Sequence, residues 1–382
     1  MNQKKKYFLL YLKTGGGHLA PAKSIANTLV QNFGDEVEPI LIDGFTKTNK
    51  IVKWIIEDGY RILQAKARWL YQTIYAVYKV FIVGKISSNT ISFHVKPYLR
   101  EIFSATKPDK VIIFHFFLIQ PLHEVLEELK ITIPVITVVT DPYTAHPLWF
   151  LRKDQDFIVF SERLKNWCIN KGISRDKLHL FPFILNEKFS NPIQSNEIPT
   201  LKKKLGYDIN KNIILILGGG DGIPQGLRIL KILSNNLKEI EIAIICGKNE
   251  SLYRKALYLK EKNNLINVKI YGYIDFIYEI LNISDIVITK CGASTFMEIL
   301  MCKKVQVITN YIWEQEKGNM EYLVEKKMGI YEPNIKKLPK LISGIVGDKN
   351  IYRSYIENIN KEFLQNGCEA VSRFLMEFDY HK

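Results

Sequence analysis

Short apolar runs punctuate the chain, each followed by a longer stretch whose apolar residues recur at helical spacing. In the first half the runs are Tyr7–Leu12, Glu38–Ile42, Lys110–Phe114, Val135–Thr140 and Phe157–Phe160. In the second half they are Ile213–Leu217, Glu241–Cys246, Val268–Tyr271, Asp285–Thr289 and Val305–Thr309. Runs this short, rich in Val, Ile and Phe and separated by helical spacers, predict parallel strands with helices on both faces. Glycine or a helix-capping residue follows most of them, as the carboxyl ends of strands in open α/β sheets require. Asn186 to Thr200 breaks the pattern with Asn-Pro and Ile-Pro steps and no apolar period, which predicts a linker. The fold class is therefore α/β, with two Rossmann-like domains expected to face each other across a cleft. Their expected bounds are 1–188 and 201–350, with a C-terminal helical segment, 351–382, packing back on the first. A length of 382 residues fits two cores better than one.

Composition narrows the partners. The formal net charge is +14, which favours an anionic partner such as lipid, nucleotide or nucleic acid. Part of that charge reflects a general richness in Lys, Ile and Asn. The five cysteines lie apart with no C-x-x-C pair, as expected of reduced thiols in a cytosolic protein and not of a disulfide frame or zinc site. Lys4-Lys5-Lys6 runs straight into the first strand, so no cleavable signal is expected. No apolar stretch is long enough to span a membrane.

Residues 47–100 interrupt the alternation. They carry ten Lys and Arg against two acids, and nine aromatics. Rings interleaved with basic residues suit a membrane interface, the rings at headgroup depth and the cations on anionic lipid. Trp54, Trp69, Arg61, Lys66 and Arg68 are the membrane-facing candidates. An ordinary helical pair with its aromatics in the core is the other reading. Nucleic acid is not expected, because no recognition module is present.

Two glycine loops carry the candidate chemistry. Thr14-Gly15-Gly16-Gly17-His18 follows the first strand and opens a helix. Leu217-Gly218-Gly219-Gly220-Asp221-Gly222 follows the first strand of the second half. Backbone N–H groups and a helix dipole at such turns suit a phosphate. His18 adds a side chain that moves a proton near neutral pH. Gly15-x-Gly17-x-x-Ala20 with Asp43 fits the dinucleotide fingerprint, although Asp43 stands late for it, and no Gly-Lys-Ser/Thr closes either loop.

The second half is sharper. Gly272-Tyr273-Ile274 follows a strand, where backbone groups can pair with a base edge. Lys290-Cys291-Gly292-Ala293-Ser294-Thr295-Phe296-Met297-Glu298 runs from a strand into a helix. Its hydroxyls and free N–H groups suit a diphosphate, and Glu298, one turn on, can accept both hydroxyls of a ribose. Thr295-x-x-Glu298 is equally a capping box. Glu314-Gln315-Glu316-x-Gly318-Asn319 opens another helix with an amide and carboxylates suited to a polyol, or simply with a solvated acidic first turn.

Taken in order, these pieces resemble a known family, the lipid-linked UDP-sugar glycosyltransferases of the monogalactosyldiacylglycerol synthase and processive diacylglycerol glucosyltransferase branch. The enzyme that adds N-acetylglucosamine to the peptidoglycan lipid precursor is a more distant relative. The resemblance rests on Gly15–His18, Thr140-Asp141 with His146-Pro147-x-Trp149, Gly218–Gly222, Gly272-Tyr273, Thr289–Glu298 and Gln315-Glu316 with Asn319. It implies the GT-B fold, inversion at the anomeric carbon, and a donor held mainly by the C-terminal domain. Carried over, Glu298 holds the ribose, Ser294 and Thr295 with Gly219 and Gly220 hold the diphosphate, Tyr273 and Ile274 face uracil, and Gln315 and Glu316 grip the sugar. Gly17 and Gly292 belong to the same donor set. The chain departs from the family at Trp313-Glu314, Leu180-Phe181-Pro182 and Ile223-Pro224-Gln225, which leaves sugar and acceptor open.

Inversion needs a general base for the attacking hydroxyl, and His18 or Asp141 fills that role. His115, His146 and Trp149 are candidates on the acceptor side. No cofactor and no metal are expected, the UDP-sugar being a substrate. The expected partners are that donor, a lipid acceptor and an anionic membrane surface, with peripheral attachment on the cytoplasmic side. The sequence does not set the oligomeric state. The alternative is a soluble UDP-sugar epimerase of the UDP-N-acetylglucosamine 2-epimerase type, for which residues 47–100 have no use.

Overall fold

The computed structural model describes residues 3–13, 16–48, 81–191, 193–312 and 315–379, with only the backbone described over 81–90. It forms two compact units. One runs to Glu187 and takes back Gln315 and the stretch from Asn366. The other holds Lys188–Ile312 and Glu316–Gln365.

The first unit is built on six parallel strands: β1 (Lys5–Tyr11), β2 (Val37–Asp43), β3 (Lys110–Ile113), β4 (Val135–Val138), β5 (Asp156–Val159) and β6 (Leu178–Leu180). Their order is β2-β1-β3-β4-β5-β6. Alternate residues of β1 serve two cores, because successive side chains point to opposite faces. Phe8 and Leu10 pack with Leu99, Phe103 and Leu122 on one face. Tyr7 and Leu9 pack with Ile25, Leu29, Val371 and Leu375 on the other. Burial on both faces is why β1 reads as a continuous apolar run. The helices are α1 (Gly16–Phe33), α2 (Phe81–Ala105), α3 (Ile119–Glu128) and α4 (Glu162–Asn170).

The second unit carries α5 (Ile198–Lys204), α6 (Gly226–Asn236), α7 (Glu250–Lys262), α8 (Ile277–Ile283), α9 (Ala293–Met301), α10 (Lys317–Glu325), α11 (Leu338–Gly347) and α12 (Lys349–Lys361). Its strands are β7 (Ile213–Leu217), β8 (Glu241–Ile245), β9 (Val268–Tyr271), β10 (Ile286–Lys290), β11 (Val305–Asn310) and β12 (Gly329–Tyr331), in the order β12-β11-β10-β7-β8-β9. In each sheet the order reverses beside the unit's first strand, between β1 and β3 and between β7 and β10. Open α/β sheets bind ligands at the carboxyl ends of strands flanking that reversal.

The expected C-terminal helix is two helices. α12 packs its Tyr352, Tyr355 and Ile356 on the second core. After it the chain returns to the first unit, where Asn366 pairs its amide with both backbone groups of Leu185. α13 (Cys368–Glu377) then packs against α1. Buried Lys110 donates to the carbonyls of Leu375 and Phe378 at the end of α13, satisfying acceptors that a helix terminus leaves open. Burial lowers its pKa to about 8.

Of the aromatic and basic stretch 47–100, the described part is a core helix. Ile91, Val95, Leu99 and Phe103 of α2 form its buried stripe. Lys96 pairs with Glu124 and Glu128, Arg100 with Glu128, and Lys47 with Glu101. These three cations are committed to acids of the first unit, while the Phe93 ring of α2 is exposed. Trp54, Arg61, Lys66, Arg68 and Trp69 lie outside the described residues. No helix among the described residues is long and apolar enough to cross a membrane.

Candidate active site

His18 stands in the first turn of α1, after β1. Its Nδ1 lies 2.9 Å from the carbonyl of Phe114, at the end of β3, and 2.9 Å from Oγ1 of Thr140, beyond β4. A carbonyl oxygen only accepts, so Nδ1 carries the proton and Nε2 keeps its lone pair. Burial pushes the His18 pKa down to about 4, against the opposing pull of the Phe114 carbonyl. The imidazole is thus neutral at pH 7, in the tautomer with a basic Nε2.

Asp141 follows Thr140. Its Oδ2 accepts the Trp149 indole N–H at 2.9 Å. The ring of His18 lies 4.4 Å from that of His115 and 6.1 Å from that of Trp149. The structure thus brings His18, His115, Asp141 and Trp149 together beyond the carboxyl ends of β1, β3 and β4.

The acceptor-side candidates His115, His146 and Trp149 lie close to His18 in the first unit. All three are buried, with Trp149 fully enclosed. His115 Nδ1 accepts the Phe117 N–H and His146 Nδ1 accepts the Leu148 N–H, each capping a short 3-10 turn. His146 also stacks on Phe116 at 5.5 Å. His115 and Trp149 pack beside the His18 ring, and Phe116 joins His146 to them. Asp43, the acid of the dinucleotide fingerprint, is likewise used internally. It caps its own turn through the Phe45 N–H and pairs with Lys13 at 3.4 Å.

In the second unit the glycine loop after β7 and the helix after β10 meet. Gly219 has φ +78°, and a Cβ there would lie 3.8 Å from Thr295 Oγ1. Gly220 has open space around its Cα. The loop is held from below by Gly247, where φ is +60° and a Cβ would come within 2.3 Å of the Gly220 carbonyl. Lys248 N–H donates to that carbonyl at 2.7 Å. The sequence reading passed over Gly247, although a glycine directly after a strand was the available signal.

α9 starts at Ala293 with Gly292 as its N-cap and no side-chain cap. Thr295 therefore sits in the third helical position, and the Thr295/Glu298 capping box is excluded, since that motif needs its hydroxyl at the cap. Two groups stand out. The Ser294 hydroxyl is buried and has no hydrogen-bond partner among the described residues. Glu298 is largely buried, and burial alone raises its pKa to about 7. An unpaired carboxylate in such a place is costly, and a ligand hydroxyl would relieve it. Tyr273 is exposed, with Lys248 Nζ 5.7 Å from its ring centre, and Ile274 beside it is partly buried.

The remaining donor candidates are more occupied than the sequence suggests. Glu316 is buried, its Oε1 3.1 Å from Lys290 Nζ and its Oε2 accepting the Ile312 N–H at 2.6 Å. Asn319 is buried and donates to the Cys291 carbonyl at 2.8 Å, fixing the turn that leads into α9. Gln315 accepts the Thr144 hydroxyl on its backbone carbonyl. Gly17 lies in the first turn of α1, in the other unit, with open space around its Cα.

Comparison with known proteins follows this division. A family model described as monogalactosyldiacylglycerol synthase matches residues 18–182, and one described as the glycosyltransferase family 28 C-terminal domain matches 213–355. The chain is 27% identical over 365 residues to monogalactosyldiacylglycerol synthase 1 of Arabidopsis thaliana, covering 90% of this chain and 64% of that protein. It is 26% identical over 326 residues to a processive diacylglycerol beta-glucosyltransferase of Bacillus cereus, covering 85% and 81%. The chain thus spans just under two thirds of the length of that plant synthase. Among solved structures, HepE of Anabaena in complex with UDP-glucose superposes with a TM-score of 0.59 at 13% identity, over 98% of this chain and 99% of that one. A UDP-N-acetylglucosamine 2-epimerase of Listeria monocytogenes, itself named as putative, gives 0.62 at 11% identity, over 98% and 95%. At these identities the structures share the fold alone, which is GT-B, and that fold serves both transfer and epimerisation.

Proposed function

We propose that this chain, which belongs to the lipid-linked UDP-sugar glycosyltransferases of the monogalactosyldiacylglycerol synthase and processive diacylglycerol glucosyltransferase branch, moves a hexose from a UDP-sugar to a lipid hydroxyl with inversion. The acceptor is diacylglycerol or a glycosyl-diacylglycerol, taken at a membrane surface. The carrying observation is Glu298, a half-buried carboxyl without a hydrogen-bond or ion-pair partner among the described residues, one turn beyond an uncapped helix N-terminus and an unsatisfied Ser294 hydroxyl. Ribose hydroxyls donate to Glu298. The diphosphate takes the free N–H groups of α9, the Ser294 and Thr295 hydroxyls and the backbone at Gly219 and Gly220. Uracil lies against the backbone at Tyr273 and Ile274.

The acceptor hydroxyl attacks the anomeric carbon as its bond to the diphosphate oxygen breaks. Nε2 of His18 takes the hydroxyl proton, and the Phe114 carbonyl and Thr140 hydroxyl hold the ring for that transfer. Burial keeps His18 unprotonated at working pH, so no acid must first be lost. Asp141 is the competing base, but it already holds the Trp149 indole. The departing diphosphate gains charge, which the α9 N-terminus stabilises without reorganising. This scheme needs no metal cofactor.

Titration calorimetry with UDP, UDP-glucose, UDP-galactose and NAD tests the donor assignment. Binding of UDP and at least one UDP-hexose, without NAD binding, is expected. Tight NAD binding with none for UDP would remove the transferase reading.

A further inference from the structure

Lys290 and Glu316 are paired across the end of β10 and the start of α10, and the pair is asymmetric. The Lys290 side chain is 27% exposed and that of Glu316 only 10%. The ammonium also stands at the start of α9, where a Cβ on Gly292 would lie 3.1 Å from Nζ. A cation is disfavoured by the dipole at a helix N-terminus, and Glu316 offsets that cost. A diphosphate at the same helix end offers Lys290 a partner of higher charge. Glu316 keeps its second tether, the Ile312 N–H on Oε2, so losing Lys290 frees Oε1 without freeing the side chain.

We propose that Lys290 and Glu316 are a partner-exchange pair: the donor's diphosphate draws the Lys290 ammonium to itself, and the released Oε1 of Glu316 accepts the sugar's hydroxyls. This rests on the donor assignment above and adds an order to it. A hexose without a diphosphate meets a carboxylate already occupied. The diphosphate supplies the exchange, so the sugar is recognised only as part of the nucleotide. When UDP leaves, Lys290 returns and closes the sugar-binding oxygen again.

The test is calorimetry on the full chain with UDP and with the better-bound UDP-hexose, for wild type, Glu316→Gln and Lys290→Met. In Glu316→Gln the lysine no longer has to leave an ionic partner. UDP should therefore bind tighter, by about 5-fold if the pair has the strength of a good ion pair. The advantage of UDP-hexose over UDP should shrink in the same variant. In Lys290→Met, UDP should bind at least roughly 10-fold more weakly, while the advantage of UDP-hexose over UDP persists because Oε1 is already free. Unchanged or weaker UDP binding by a folded Glu316→Gln overturns the exchange. If that variant does not melt cooperatively, unchanged UDP binding by Lys290→Met overturns it instead. A wild-type chain that binds no UDP overturns the donor assignment and the exchange together, so the two failures are told apart.

Discussion

Replacing Glu298 by Gln should make the protein more stable and a worse nucleotide binder at once. Burial raises the folded-state pKa of Glu298 from 4.5 to about 7. An acid with a raised folded pKa costs nothing below its unfolded pKa, where both states are protonated. The cost grows as pH rises from 4.5 and is complete above about 7. A shift of that size corresponds to about 3 kcal/mol, which partial exposure reduces to roughly half. Glu298→Gln keeps the shape and removes the charge. At pH 8 it should raise the thermal midpoint by about 3–6 °C. At pH 5 the gain should fall to roughly a quarter of that. Ribose hydroxyls that lose a charged acceptor forfeit about 1.5–3 kcal/mol, or roughly a 10- to 100-fold loss of UDP affinity. Wild-type binding should also release nearly one proton per UDP at pH 6 and almost none at pH 8, read from calorimetry in buffers of different ionisation enthalpy. Scanning calorimetry supplies the midpoints. A lower midpoint in Glu298→Gln, with nucleotide affinity intact, would mean that the carboxylate supports the helix and not a ligand.

The acceptor side gives its own expectations. His18→Ala should lower kcat by about 10²–10⁴-fold with donor affinity held, since the base acts in the transition state; an unchanged kcat hands the proton to Asp141. Because the base works deprotonated and its pKa is about 4, kcat should rise through pH 4 and stay flat above it. The profile of kcat/KM should instead carry an acid limb near 7, from Glu298 in the free enzyme. Gly247→Ala forces a Cβ against the Gly220 carbonyl at a positive φ, and should cost about 1–3 kcal/mol of stability together with UDP affinity; a neutral variant in both assays would show that the loop is not held from below. Co-sedimentation with anionic vesicles should weaken with salt and with replacement of Trp69 and its basic neighbours, whereas negligible binding to both neutral and anionic vesicles would take away the motive for a lipid acceptor.

Most strands were legible because parallel strands buried on both faces leave unbroken apolar runs, and β7 and β9 fall where those runs predict. β6 and β12 were not legible. Each is a three-residue edge strand, too short to carry a pattern. The glycine loops were legible as turns, and they follow β1 and β7, the strands beside which each sheet's order reverses. The role of Thr295 and Glu298 was ambiguous in sequence, because a capping box and a ribose-binding acid share one spacing. The helix start at Ala293 removes the capping box. The capping role of His115 and His146 was not legible, because composition says nothing of a ring nitrogen that accepts the N–H two residues on. The Lys290–Glu316 pair spans 26 positions and two strand ends, so no local pattern announces it.

Transfer of a hexose to a lipid hydroxyl is tested by the product itself. The chain is incubated with UDP-glucose or UDP-galactose labelled in the sugar, together with diacylglycerol in anionic vesicles. Lipids and nucleotides are then separated, identified by mass spectrometry, and the anomeric configuration is read by NMR. Labelled hexosyl-diacylglycerol of inverted, β configuration, formed with one UDP per sugar, is expected. A water-soluble UDP-sugar with an altered stereocentre, and no labelled lipid, would contradict it and place the protein with the epimerases of the same fold.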